Sequence, residues 1–211
     1  MRDHLYDSRE NFDRQADRYD TAGCGAHARK LYPLVLAQLA QIPHRRILDL
    51  GCGTGELLAS IRGRWPETVC AGLDLSPRML EVARRKLGEG AELVQGEAGS
   101  LPFREEQFDV VLCTDSFHHY PDPGRVLEEV ARVLLPGGVF LLADTTAPGP
   151  FRQAIDLLLP YGRGGDVHLY GTEELRQLLS RYLQGAECRR ADATSLLAWG
   201  IKGRASGAKG G

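Results

Sequence analysis

Long apolar stretches are missing from this 211-residue chain. Its hydrophobic runs, such as Val139–Ala143, fall far short of the ~18 residues that span a bilayer, so no membrane insertion is expected. The opening segment Met1–Asp7 is charged where a secretion signal has an apolar core, which points to a cytoplasmic protein. Cysteine is scarce: Cys24, Cys52, Cys70, Cys113 and Cys188 make an odd set. They form no C-x-x-C and no Cys/His spacing typical of zinc, so a reduced chain without a structural metal is expected. Charge of one sign is also lacking. Lys plus Arg total 26 against 28 for Asp plus Glu, a formal net charge of -2 that offers no field for drawing in nucleic acid. No internal repeat is visible, and no G-x-x-x-x-G-K-[ST] phosphate loop occurs. What remains is a chain with 43% hydrophobic residues and 25 glycines, enough for one cored domain with several tight turns.

From residue 46 onwards, short apolar runs alternate with helical stretches. Arg46–Leu50, Val69–Leu73, Glu92–Gln95, Asp109–Cys113 and Val139–Ala143 read as strands covered on both faces. Ser76-Pro77 and Asp122-Pro123 each place a cap before a proline at the first helical position. The first of these helices can run to Gly88. In the second, Leu127, Val130, Ala131 and Leu134 share one face before Pro136-Gly137-Gly138 stops the helix. Repeated β-α-β units predict a doubly wound sheet with helices on both faces. Ahead of this core, Gly25–Gln41 reads as a helix interrupted near Pro33, so residues 1–42 are expected to form an N-terminal helical cap on a domain of residues 43–202. Behind it, Pro150–Leu159 and Thr172–Leu183 read as helices, and Ala186–Arg190 and Ser195–Lys202 as two more strands. Gly203–Gly211 has nothing to bury and is expected to be a disordered tail.

The chemistry-bearing segment is Ile47–Gly55, where glycines 51, 53 and 55 follow a strand that carries Asp49. Such glycines let a chain turn tightly and bring backbone N–H groups against a ligand at the next helix. The dinucleotide fingerprint G-x-G-x-x-G would need glycine at position 56, which is Glu56, a carboxylate that would repel a pyrophosphate. No Tyr-x-x-x-Lys pair supports an NAD-dependent reductase either.

The D-x-G-x-G-x-G pattern resembles motif I of the class I S-adenosylmethionine-dependent methyltransferases. Further landmarks follow in the family's order: Gly72–Ser76, Gln95–Phe103, Phe108–Val111 running into Phe117–Pro123, and Arg132–Gly138. Phe12–Asp20 is similar to the N-terminal cap of the subgroup with ubiquinone and menaquinone C-methyltransferases and many small-molecule enzymes. The resemblance implies a Rossmann-like seven-stranded, mostly parallel sheet in the order 3-2-1-4-5-7-6, with strand seven antiparallel. It implies S-adenosylmethionine as cofactor and S-adenosylhomocysteine (SAH) as product. The implied cofactor contacts are Asp49, Leu50, Gly51, Cys52, Gly53, Thr54, Gly55, Asp74, Leu75, Met79, Glu97, Ala98 and Thr114. Asp74 would take both ribose hydroxyls. Glu97, where close relatives usually carry aspartate, would take the adenine amino group.

Other candidates carry two readings. Asp49 would hydrogen-bond the glycine-loop amides, or water near the methionine ammonium. Cys52 and Cys113 read as small buried fillers. His118 and His119 could supply a general base, or one could cap a helix while the other packs. Residues 145–184 could form a substrate lid or an insertion loop; there Tyr161, His168 and Tyr170, with Tyr19 of the cap, are the candidate acceptor contacts. Phe12 would add an aromatic wall, and Arg152 and Arg163 polar handles. The expected reaction is in-line methyl transfer to a small, largely apolar acceptor by a monomer or homodimer, with no catalytic metal. A non-catalytic S-adenosylmethionine-binding sensor or scaffold is the alternative from another class, and Asn/Asp-Pro-Pro-aromatic and Pro-Cys signatures of nucleic-acid methylation are lacking.

Overall fold

A computed structural model describes residues 4–159 and 165–204. Tyr161, Gly162, Arg163, Gly164 and residues 205–211 of the tail lie outside the described residues.

Seven strands form one sheet: β1 (Arg46–Leu50), β2 (Val69–Asp74), β3 (Ala91–Gln95), β4 (Phe108–Thr114), β5 (Leu134–Thr145), β6 (Gln184–Arg190) and β7 (Ser195–Ile201). Their order is β3-β2-β1-β4-β5-β7-β6. Neighbours from β3 to β5 pair in parallel, whereas β7 runs antiparallel to both β5 and β6. Among the described residues seven α-helices accompany the sheet: α1 (His4–Gln15), α2 (Ala26–Leu39), α3 (Glu56–Arg64), α4 (Pro77–Leu87), α5 (Pro123–Val133), α6 (Gly149–Leu158) and α7 (Thr172–Ser180). Among the described residues no helix is long and apolar enough to cross a membrane.

The period-two alternation of the strands divides the core into two layers. Leu48, Leu50, Val111 and Leu142 face α5 and α7, where Leu127, Val130, Leu175 and Leu179 meet them. Ile47, Val110, Leu112 and Leu141 face Leu31 and Leu36 of α2, Leu57 and Ile61 of α3, and Leu80 of α4. Each such leucine has no measurable exposure in the case of Leu48, Leu127 and Leu141, so truncation of one to alanine costs about 2–5 kcal/mol.

Both expected caps form. Ser76 Oγ accepts from Met79 N at 3.1 Å, and Asp122 Oδ1 accepts from Arg125 N at 2.9 Å. Two local expectations are corrected. Pro33 lies inside an unbroken α2, whose Leu31, Val35, Leu36 and Leu39 are buried; their packing outweighs the lost backbone donor. Pro136-Gly137-Gly138 does not follow a helix ending at Leu134. Helix α5 stops at Val133, and these residues sit within β5, where the register to β4 shifts between Phe108 and Val110. Gly137, at φ +83°, supplies the left-handed residue that this bulge requires, and its N–H donates to Lys202 O at 2.9 Å.

Candidate active site

Strand order reverses between β1 and β4, and a cavity of about 770 Å³, including its open mouth, lies where their carboxyl ends diverge. Its floor is the turn from β1 into α3. Gly51 and Cys52 donate their amides to Leu73 O at 2.8 and 3.0 Å, and Gly53 donates to Asp74 Oδ2 at 2.8 Å. Gly51 and Gly53 take φ of +68° and +52°. A side chain on Gly51 would collide with Ser116, whereas one on Gly53 would enter open space. The floor is therefore bare backbone, as a closely approaching ligand needs.

Two buried acids stand beside it. Asp74 accepts from Gly53 N and, at 2.8 Å, from Ser76 N, leaving further lone pairs on both oxygens. Burial raises its pKa to about 6 against the opposing effect of those amides. Asp49 is driven further, to about 8, by burial and then by the Asp74 charge, and its Oδ1 has no hydrogen-bond partner. Asp49 thus does not bond the glycine-loop amides as one sequence reading expected, because Leu73 O and Asp74 reach them first. Thr114 Oγ1 is likewise buried and unpartnered. Orphaned polar atoms and a buried acid pair around a bare-backbone floor fit a ligand with hydroxyls and a cationic group.

Of the expected cofactor contacts, Gly51, Cys52, Gly53, Asp74, Leu75, Met79, Glu97, Ala98 and Thr114 line this cavity. Asp49, Leu50, Thr54 and Gly55 do not. Leu50 belongs to the core. Thr54 donates to Asp20 Oδ1 at 2.5 Å. Gly55, at φ +73°, is required by packing, since a Cβ there would lie 2.8 Å from Leu87 Cδ1.

Helix α1 and the following turns close the opposite side with Leu5, Ser8, Phe12 and Tyr19. Their placement is set by acids on one segment meeting partners across the gap. Ser76 Oγ donates to Asp13 at 2.5 Å, Arg78 and Arg85 pair with Asp17, and Lys86 pairs with Asp20 at 2.8 Å. Phe12 packs edge-on against Tyr19 and His119, with ring centroids 6.2 and 5.1 Å away.

The two adjacent histidines have different surroundings. His118 Nδ1 is 2.6 Å from Asp144 Oδ1, and His118 N donates to Asp144 Oδ2 at 2.9 Å. Burial opposes charge on this ring, but Asp144, Asp115 and Asp166 outweigh it and raise the pKa to about 9. His119 is pushed well below the ordinary histidine range by burial and by its charged neighbour. His119 lines the cavity and His118 does not. A ring already protonated at neutral pH has no free lone pair with which to act as a base, so the arrangement gives His118 no such role.

Nor do His168 and Tyr170 line the cavity. His168 Nε2 is 2.6 Å from Glu174 Oε1, within an ion-pair group that includes Arg152 and Asp156 and ties α6 to α7. Tyr170 is buried against Phe117 at 5.3 Å. Tyr32, Asp115, Ser116 and Tyr120 line the cavity without having been singled out in the sequence. Asp115, at φ +53°, accepts or shares a proton with His27 Nδ1 at 2.7 Å. That contact spans distant segments, and only the acid following the β4 residues hinted at it.

Comparison with known proteins agrees with this geometry. Residues 48–142 match the family described as Methyltransferase domain. Demethylmenaquinone methyltransferase of Thermotoga maritima is 32% identical over 175 residues, covering 75% of each chain. Fatty-acid O-methyltransferase of Mycolicibacterium smegmatis is 40% identical over 116 residues, 54% of this chain and 42% of that protein. The chain thus matches three quarters of the first relative's length and less than half of the second's. The solved structure described as PigF with SAH shares the fold at a TM-score of 0.75 and 22% identity, over 94% of this chain and 62% of that one.

Proposed function

The chain belongs to the class I S-adenosylmethionine-dependent methyltransferases, in the group that includes the demethylmenaquinone enzymes, and from that premise we propose that it methylates a small, largely apolar molecule in the cavity above β1 and β4. Its methyl donor is S-adenosylmethionine. The observation that carries the proposal is the division of one cavity into two chemistries. Asp74, Glu97 and the Gly51–Gly53 backbone supply a polar end, while Phe12, Tyr19, Tyr32 and Tyr120 supply an aromatic one. A mostly apolar cleft with a few placed polar groups suits a small molecule better than a protein or nucleic-acid strand.

When bound, the cofactor supplies a sulfonium methyl open to displacement. The chain's residues do the rest. Asp74 accepts the ribose hydroxyls through its free lone pairs, Glu97 accepts from the adenine amino group, and Asp49, behind the lining, offers its unpartnered Oδ1 to a water beside the methionine ammonium. The backbone of Gly53 leaves room for the methionine portion. Phe12 and Tyr19 exclude water and hold the acceptor against the donor, so that nucleophile and methyl meet in line at roughly 3–3.5 Å. Residues 1–42 serve as the cap that brings Phe12 and Tyr19 into place. The relatives' names support lipophilic acceptors, quinols and fatty acids among them. Incubation with methyl-labelled donor and a panel of such acceptors, following label and SAH together, tests the proposal. Transfer to a charged peptide or an oligonucleotide instead of any apolar acceptor would overturn it.

A further inference from the structure

Behind the cavity wall, three potential ligands meet from two distant segments. His118 Nε2 lies 3.5 Å and His119 Nδ1 3.1 Å from Asp166 Oδ1. One ligand atom from each residue lies within 4.8 Å of the other two. A first-row divalent ion holds nitrogen and oxygen ligands at about 2.0–2.2 Å, which separates them by about 2.8–3.6 Å for angles between octahedral and tetrahedral. Both measured separations fall in that interval.

The contacts are poorly explained without an ion. His119 Nδ1 is buried and has no hydrogen-bond partner, although a carboxylate oxygen stands at 3.1 Å. A neutral ring and a carboxylate so placed would be expected to settle into a hydrogen bond. His118 is already arranged as metal-binding histidines are. Its Nδ1 faces Asp144 at 2.6 Å, fixing the ring and leaving Nε2 as the nitrogen on which a cation would take the place of the proton. Asp144 is itself held, accepting from Thr145 N at 2.8 Å and from His118 N at 2.9 Å. Asp166 is tethered in place because Val167 N and His168 N donate to His118 O at 2.8 and 3.2 Å. Its side chain keeps 40% exposure, which gives an ion a route from solvent. A second grouping, Asp115, His118 and Asp144, offers less, because His27 occupies Asp115 and His118 Nδ1 occupies Asp144.

We propose that His118 Nε2, His119 Nδ1 and Asp166 bind one first-row divalent cation of the zinc class, with Asp144 as the carboxylate that orients His118. The sequence reading expected no metal, since the ligand set is split between the segment after β4 and the one before α7. The site uses none of the groups assigned to the cofactor, so its test is independent of methyl transfer.

The experiment titrates chelator-stripped full-length protein with zinc chloride by calorimetry, with metal content measured after gel filtration. Wild type should take up one equivalent. His119→Ala and Asp166→Ala should each lose at least about tenfold in affinity, and Asp144→Asn about 10–100-fold. Asp166 is partly exposed, so that variant retains the fold, as its melting curve should show. Cys24, an exposed free thiol, is the competing ligand, and Cys24→Ser should bind zinc as wild type does. Cobalt substitution should give visible d–d bands without a thiolate charge-transfer band. Absence of saturable uptake would overturn the proposal. So would uptake that survives both His119→Ala and Asp166→Ala, or that disappears with Cys24→Ser.

Discussion

Replacing Asp74 separates its structural work from its binding work. The carboxylate accepts two backbone N–H groups, from Gly53 and Ser76, each at 2.8 Å. It also offers the remaining lone pairs to the cofactor's ribose. Asp74→Ala removes the charge-assisted ribose bonds, worth ~1.5–3 kcal/mol together, so S-adenosylmethionine should bind about 10–100-fold more weakly. It also orphans two amides, whereas Asp74→Asn orphans one, because its single side-chain oxygen can still accept from only one of them. The asparagine variant should therefore lose about tenfold in affinity while melting between wild type and Asp74→Ala. The wild-type Asp74 carboxyl, with a pKa near 6, adds a second signature. Ribose hydroxyls prefer the charged acceptor, so the wild-type advantage over Asp74→Asn should be full above about pH 7 and shrink as pH falls through 6. Taking the ratio of the two affinities cancels every other titrating group. Calorimetry across that pH range reads both effects. Equal affinity in Asp74→Ala with an intact fold, or a ratio that ignores pH, would refute the assignment.

Gly53→Val should abolish cofactor binding with the secondary structure retained, because its side chain would enter the cavity from a left-handed backbone; circular dichroism and calorimetry check this. Asp49→Asn should raise the melting temperature of the unliganded protein at alkaline pH. The native pKa of about 8 lies above the unfolded value, so stability from this group is full at acid pH and is lost as pH rises through 8. The same variant should bind S-adenosylmethionine more weakly, which the titration will show. Phe12→Ala should raise KM for an apolar acceptor by roughly tenfold through loss of aromatic packing, with cofactor affinity nearly unchanged.

How far the sequence foretold this molecule depended on whether the cause was local. Ser76-Pro77 and Asp122-Pro123 announced helix starts because capping needs only neighbouring residues. The glycines after Asp49 announced a ligand-facing turn for the same reason, and the family likeness supplied the strand order found. Pro33 misled because the packing of α2 against the sheet overrides a local helix breaker. Pro136-Gly137-Gly138 misled because a β-bulge uses the same residues as a helix stop. Within the helical cap expected over residues 1–42, the bounds of α1 were not legible: its charged sequence carries little apolar periodicity, and its place is fixed by Asp13 reaching Ser76. His168 and Tyr170 looked like pocket residues by type, yet Glu174 and Phe117 engage them. Asp166 could not be joined to His119 from spacing, because only the fold brings them together.

Whether methyl transfer takes place in this cavity is read by single-turnover transfer from methyl-labelled S-adenosylmethionine to a lipophilic acceptor, comparing wild type with Gly53→Val and Phe12→Ala. Wild type should release one SAH per methyl transferred, Gly53→Val should transfer none, and transfer by Phe12→Ala should recover at high acceptor concentration. Undiminished transfer by Gly53→Val would place the chemistry outside the cavity above β1 and β4.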